Sequence, residues 1–145
     1  MIEVIDLKKS FNGTEVLKGI STVFEKGKTN LIIGQSGSGK TVFMKCLLGL
    51  ITPSSGSIRY EGRDYAEFSL EEKRDLRQEM GMVFQGSALF DSKTVEGNVM
   101  FPLEMFTKQS QEEMQERVDF VLKRVNLVDA HTKYPAEISG GMQKR

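Results

Sequence analysis

The sequence predicts an α/β fold built around a phosphate-binding loop, and three observations carry that expectation. The octapeptide Gly34-Gln35-Ser36-Gly37-Ser38-Gly39-Lys40-Thr41 follows the short apolar run Leu31-Ile32-Ile33 and opens a helical pattern. Strand-like segments end in turns at Asn12-Gly13 and Glu61-Gly62. Two Ser-x-x-Glu capping boxes, starting at Ser69 and Ser110, announce further helices.

Taken in order, Ile2 to Phe11 reads as a strand, and Asn12-Gly13 is a strong hairpin dipeptide because both residues tolerate positive φ. A second strand lies between Val16 and Phe24 and closes at the polar turn Lys26-Gly27-Lys28. Leu31-Ile32-Ile33 has no polar alternation, the pattern of a strand buried on both faces. From Lys40, the residues Val42, Phe43, Met44, Cys46, Leu47, Leu48 and Leu50 leave almost no polar face, so this helix is expected to be buried. Thr52-Pro53-Ser54-Ser55-Gly56 ends it, and Ser57 to Tyr60 is a short strand.

The Ser69 box opens a charged helix to about Met80, and Gly81 to Phe84 is expected as a strand leading to Gln85. Behind the Ser110 box, Met114, Val118, Val121, Leu122 and Val125 form one helical stripe. Five methionines, Met80, Met82, Met100, Met105 and Met114, cluster in the middle third. They fit either an adaptable docking groove or core filling.

The 145 residues suffice for one cored domain. With 20 basic and 20 acidic side chains the formal charge is zero, which argues against a nucleic-acid binder. The single cysteine, Cys46, can make no internal disulfide, and a reducing compartment is the simple reading. No signal-like N-terminal pattern and no apolar run of roughly 20 residues is present, so a membrane link is expected only through a partner.

The octapeptide matches G-x-x-x-x-G-K-[ST]. Its glycines let successive backbone N–H groups point at phosphate oxygens. Lys40 is then expected on the β- and γ-phosphates and the Thr41 hydroxyl on Mg²⁺, with a helix N-terminus favouring the anion. A chance glycine-rich turn is the alternative, but the loop sits between the strand and the helix that the chemistry requires.

Further motifs narrow this. Phe11 precedes the loop, Val83-Phe84-Gln85 follows a strand pattern, and Tyr134-Pro135-Ala136-Glu137 leads into Ile138-Ser139-Gly140-Gly141-Met142-Gln143. With the phosphate loop, these resemble the ATP-binding cassette (ABC) family over the whole chain, from Ile2 to Arg145. The resemblance implies a P-loop NTPase fold: an antiparallel β subdomain, a partial parallel core sheet and a helical subdomain. It also implies ATP and Mg²⁺ as ligands, with Gly34 to Thr41 on the phosphates, Phe11 stacking on adenine and Gln85 reaching Mg²⁺ and the attacking water. Ser139, Gly140 and Gly141 would bind the γ-phosphate held by a second subunit in a head-to-tail dimer. The partners implied are that second copy and a transmembrane permease. The location implied is cytoplasmic, peripheral on the inner face of the bacterial inner membrane.

Within the family, the run Phe84 to Asp91, Thr94-Val95, and Asn98 to Leu103 resembles the Mla-type phospholipid transporters, which maintain outer-membrane lipid asymmetry in Gram-negative bacteria. Met142 suits that group. Gly97 departs from it, standing where glutamate is expected, and glycine weakens a helix by roughly 1 kcal/mol.

The family's next motif, four apolar residues and Asp-Glu, is expected after the signature and has no counterpart here. The nearest imitation, Val125-Asn126-Leu127-Val128-Asp129, precedes the signature, is broken by Asn126 and has Ala130 in place of glutamate. Asp129 is read as a loop residue and His131, too early to be the family's switch histidine, as an exposed loop side chain. The chain is therefore expected to be the front part of one ATP-binding domain, truncated after the signature, binding ATP without hydrolysing it efficiently. Leu31 to Ile33 would then have unpaired edges, so self-association is expected. The alternatives are a non-hydrolysing ATP-binding or interaction module, the ATPase of an ABC transporter for another substrate, or a small kinase or GTPase. The last would need an Asn-Lys-x-Asp motif or an arginine-rich lid, and neither occurs.

Overall fold

The computed structural model describes all residues, 1–145, as two compact units, Met1–Gly81 and Met82–Arg145. In the first, β1 (Ile2–Phe11) and β2 (Thr14–Phe24) form the predicted hairpin, joined by Asn12 and Gly13 at φ 49° and 82°. Positive φ at both turn residues matches the right-handed twist of the flanking strands. β3 (Ser55–Tyr60) pairs antiparallel with the other edge of β1, and β4 (Arg63–Asp64) continues the sheet in the order β2-β1-β3-β4.

β1 bulges at Asp6, which takes φ 44° and interrupts register with both neighbours. Gly56 faces this bulge, and a Cβ there would stand 2.3 Å from the Asp6 carbonyl oxygen. Only glycine permits that approach.

One sheet face and α1 (Lys40–Leu47) enclose the first core, Val4, Leu7, Leu17, Phe43, Cys46, Leu47, Ile58 and Tyr60. Burial, and secondarily charge repulsion from the neighbouring Tyr65 hydroxyl, pushes the Tyr60 hydroxyl up to about 12. α2 (Leu70–Glu79) begins at Ser69 with both capping-box bonds formed, Glu72 N to Ser69 Oγ at 3.1 Å and Ser69 N to Glu72 Oε2 at 2.8 Å.

Sequence and structure part in two places here. α1 is not buried all round: Phe43, Cys46 and Leu47 face the core, while Met44 and, beyond the helix end, Leu50 are exposed. The larger difference concerns the strands. The α/β class holds, but the expected partial parallel core sheet has no hydrogen-bonded ladder. Neither Leu31–Ile33 nor Gly81–Phe84 pairs with another strand. Ile32 packs on the core, whereas Leu31 and Ile33 are 84% and 80% exposed. A strand is defined by its partners, and the four-stranded sheet uses up all the pairing segments.

The second unit is helical. α3 (Val95–Phe106), capped by Thr94, runs through Gly97 and Pro102. Asn98 pins the preceding loop to it: its side chain accepts from Phe90 N at 2.8 Å and donates to the Phe90, Lys93 and Thr94 carbonyls. α4 (Gln111–Arg124) carries the second complete capping box, and Met114, Val118 and Leu122 form its buried stripe. With Val95, Met100, Leu127, Ala130 and Ile138 they make a second core. The methionines divide accordingly: Met100 and Met114 fill this core, Met80 packs on the first one, and Met105 is exposed. No helix is long and apolar enough to cross a membrane.

Candidate nucleotide site

The phosphate loop begins where Leu31–Ile33 ends and runs into α1. Ser38 N donates to the Gln35 carbonyl at 3.2 Å, closing a turn over Ser36 and Gly37, the latter at φ 79°. Gly39 caps the helix at φ 92°, where a Cβ would lie 2.9 Å from Leu17 Cδ2 and 3.1 Å from the Val16 carbonyl oxygen. Glycine is thus demanded at position 39 twice, by conformation and by the closeness of β2. The Lys40 ammonium folds back into the loop, donating to the Gly34 and Gln35 carbonyls at 2.7 Å each.

Gln35, Ser36, Gly37, Ser38 and Thr41 are exposed. The first turn of α1 has N–H groups without intrahelical acceptors and contains no acidic residue, so its dipole is unopposed there. An open cavity of about 510 Å³ adjoins the loop, lined by Thr14 to Lys18, Ile20, Gly37 and Ser38. Phe11 stands opposite Thr14 at the same hairpin end and is 41% exposed. Sequence reading missed Val16 and Leu17, which back the loop, and Lys9, whose ammonium lies 4.9 Å from the Phe11 ring centre. Only the two-residue spacing of Lys9 and Phe11 along the strand could have shown the latter.

Thus Phe11 and Gly34 to Thr41 belong to the first unit, and Gln85, Ser139, Gly140 and Gly141 to the second. Gln85 is exposed in a bend after Phe84. Ser139 caps α5 (Gly140–Gln143), its Oγ accepting from Met142 N at 3.3 Å, while Ile138 anchors the motif in the second core. Gly140 and Gly141 are exposed, and a Cβ on either would meet nothing closer than 4.0 Å. Nothing inside the chain requires glycine at these two positions.

No group of three His, Cys, Asp or Glu residues is placed to hold a metal. Mg²⁺ bound with a triphosphate needs no such cage, taking one or two protein oxygens beside phosphate and water. The exposed Thr41 hydroxyl, adjoining Lys40, suits that demand, and the Gln85 carbonyl oxygen is a donor of the same hard class.

Asp129 is an exposed turn residue, as the sequence reading expects. His131 is not the exposed loop side chain expected of it. It is three-quarters buried, with Nδ1 2.6 Å from the Val128 carbonyl and Nε2 3.2 Å from Asp119 Oδ1. It ties the Val128–Ala130 turn to α4, a contact across 12 residues that local sequence could not reveal.

Residues 17–145 match the ABC transporter family. The chain is 40% identical over 144 residues to "Probable ribonucleotide transport ATP-binding protein mkl" of Mycobacterium leprae, covering 99% of this chain and 42% of that protein. It is 41% identical over its whole length to "Methionine import ATP-binding protein MetN" of Rhizobium etli, covering 40% of that protein. The chain therefore spans about two-fifths of the length of these curated relatives. Among solved structures, the dimeric ATP-binding cassette MJ0796 in a post-hydrolysis state with ADP and Pi superposes with a TM-score of 0.87 at 26% identity. That match covers 99% of this chain and 65% of the cassette. CbiO1 from Clostridium perfringens, part of the transporter complex cbiONQ, gives 0.82 at 30% identity over 99% of this chain and 57% of its own. Through its phosphate loop and the family match over residues 17–145, the chain belongs to the ABC transporter family, in its ATP-binding domain.

Proposed function

We propose that the chain binds Mg-ATP at Gly34 to Thr41 and serves as the ATP-binding part of a transporter ATPase. The observation that carries this is the Gly39 junction, where the loop is locked against β2 and delivers Lys40 and the α1 N-terminus to one place. In this reading the Lys40 ammonium exchanges its two carbonyl partners for phosphate oxygens, and the loop N–H groups take the remaining charge. Phe11 stacks on the base. Thr41 would hold Mg²⁺, which would offset phosphate charge, and Gln85 carries an amide oxygen suited to the same kind of ion. Ser139, Gly140 and Gly141 meet the γ-phosphate on a second copy; their exposure and the open space around both glycines support an intermolecular role.

The same reading gives the protein two partners, a second copy of itself and a transmembrane permease that holds it at the inner face of a membrane. The exposed Leu31 and Ile33, on a segment with no strand partner, favour self-association of the chain. These 145 residues contain no Asp-Glu dipeptide to hold Mg²⁺ through water and polarise the nucleophile, so turnover is expected to be negligible. Phosphate release by the purified chain is the test. Steady release that disappears in Lys40→Ala would overturn the non-hydrolysing part of this proposal.

For the transported substrate we favour phospholipid, on the likeness of Phe84 to Asp91 and Asn98 to Leu103 to Mla-type sequences. The names of the relatives favour a second reading, uptake of a small polar solute. Deleting the gene in its host separates them. Detergent sensitivity with altered outer-leaflet lipid supports the first, and a defect in solute uptake with intact lipid supports the second.

A further inference from the structure

We propose that Lys9 is a positioning residue for the base-stacking ring of Phe11 and sets the preference for an adenine nucleotide over bare triphosphate. The inference rests on the reading of Phe11 as the stacking residue. Phe11 is the last residue of β1, and the Asn12-Gly13 turn follows it, so its half-exposed side chain stands at the very end of the hairpin. Lys9 supplies the hold. Its ammonium donates to the Thr52 carbonyl at 2.8 Å and stands 4.9 Å from the Phe11 ring centre, within cation–π range.

The clamp is itself anchored. Ser10 N donates to Ser54 Oγ at 3.0 Å and Ser54 N to the Lys8 carbonyl at 2.8 Å, so three hydrogen bonds join Lys8–Ser10 to Thr52–Ser54. Lys9 makes no ion pair, unlike its neighbour Lys8, which pairs with Asp6. The ammonium is committed to one carbonyl and one ring.

Two consequences follow for binding. With one face of the ring covered, the other is left for a base, and its orientation is fixed before the ligand arrives, which lowers the ordering cost of binding. The cation also draws ring electron density toward the covered face. That weakens the quadrupole repulsion an electron-rich purine meets on the opposite face.

The test measures the affinity of the 145-residue chain for Mg-ATP and for Mg-tripolyphosphate, which has no base. Lys9→Met keeps the apolar stem and removes the charge. It is expected to weaken Mg-ATP binding about three-fold and leave tripolyphosphate unchanged, and Lys9→Arg, still a cation able to stack and donate, is expected to restore it. Phe11→Ala is expected to remove the advantage of ATP over tripolyphosphate, after which Lys9→Met adds nothing. If Lys9→Met matches the parent, or weakens both ligands equally, the clamp is wrong while stacking stands. If Phe11→Ala leaves the ATP advantage intact, or the parent binds neither ligand, the stacking reading falls and the clamp falls with it.

Discussion

The strand β1 and the segment Leu31–Ile33 both carry strand-forming aliphatic residues and have opposite fates. β1 is paired along both edges and buries Val4 and Leu7, the latter fully. Leu31–Ile33, more apolar per residue, has no backbone partner and presents Leu31 and Ile33 to solvent. Apolar composition makes a segment able to be a strand, but partners make it one. The phosphate loop lies beside the second kind of segment, yet its far side is fixed by the first kind, through Gly39 against Val16 and Leu17. The loop thus has one packed shoulder and one open one. The packed shoulder is expected to be enough to shape it.

The largest effect is expected at Leu7. Leu7→Ala is expected to destabilise the first unit by about 3 kcal/mol, as cavity formation in a closed core does. Denaturant unfolding followed by circular dichroism measures it. Next comes Gly39→Ala, at about 2 kcal/mol for left-handed backbone and the approach to Leu17, with a parallel loss of ATP affinity. Unchanged affinity would show that the packed shoulder does not shape the loop.

A smaller effect, about 1 kcal/mol, is expected for Ser69→Ala at the cap of α2. Its box partner Glu72 is held down at about 2, first by the hydrogen bond from Arg63 and then by the Ser69 amide. A carboxylate depressed on folding stabilises the protein above its unfolded value and loses that effect as pH falls through the folded one. Melting temperatures of the parent and Glu72→Gln should therefore converge as the pH drops from about 4.5 toward 2. The smallest change is expected at Ile33→Ala, within about 0.5 kcal/mol in the monomer. A loss as large as that of Leu7→Ala would mean that the open shoulder is covered in solution, and a concentration-dependent mass would identify a second copy as the cover.

What the sequence discloses follows the same division. The Asn12-Gly13 hairpin and both capping boxes are legible because each is complete within a few residues. The phosphate loop is legible because its chemistry demands a contiguous pattern. Leu31–Ile33 and Gly81–Phe84 are not, since local sequence reports strand propensity and says nothing of partners. α3 is obscured by Gly97 and Pro102, and it stands through Thr94 as cap, the Asn98 clamp and the burial of Val95 and Met100. His131 and Lys9 act through contacts that only the folded chain makes.

The most direct measurement is a calorimetric titration of the chain with Mg-ATP, with Lys40→Ala alongside. Saturable binding by the parent and none by the variant is the expected result. Binding by neither would mean that the packed shoulder cannot shape the loop alone, and equal binding by both would place the nucleotide away from Gly34 to Thr41.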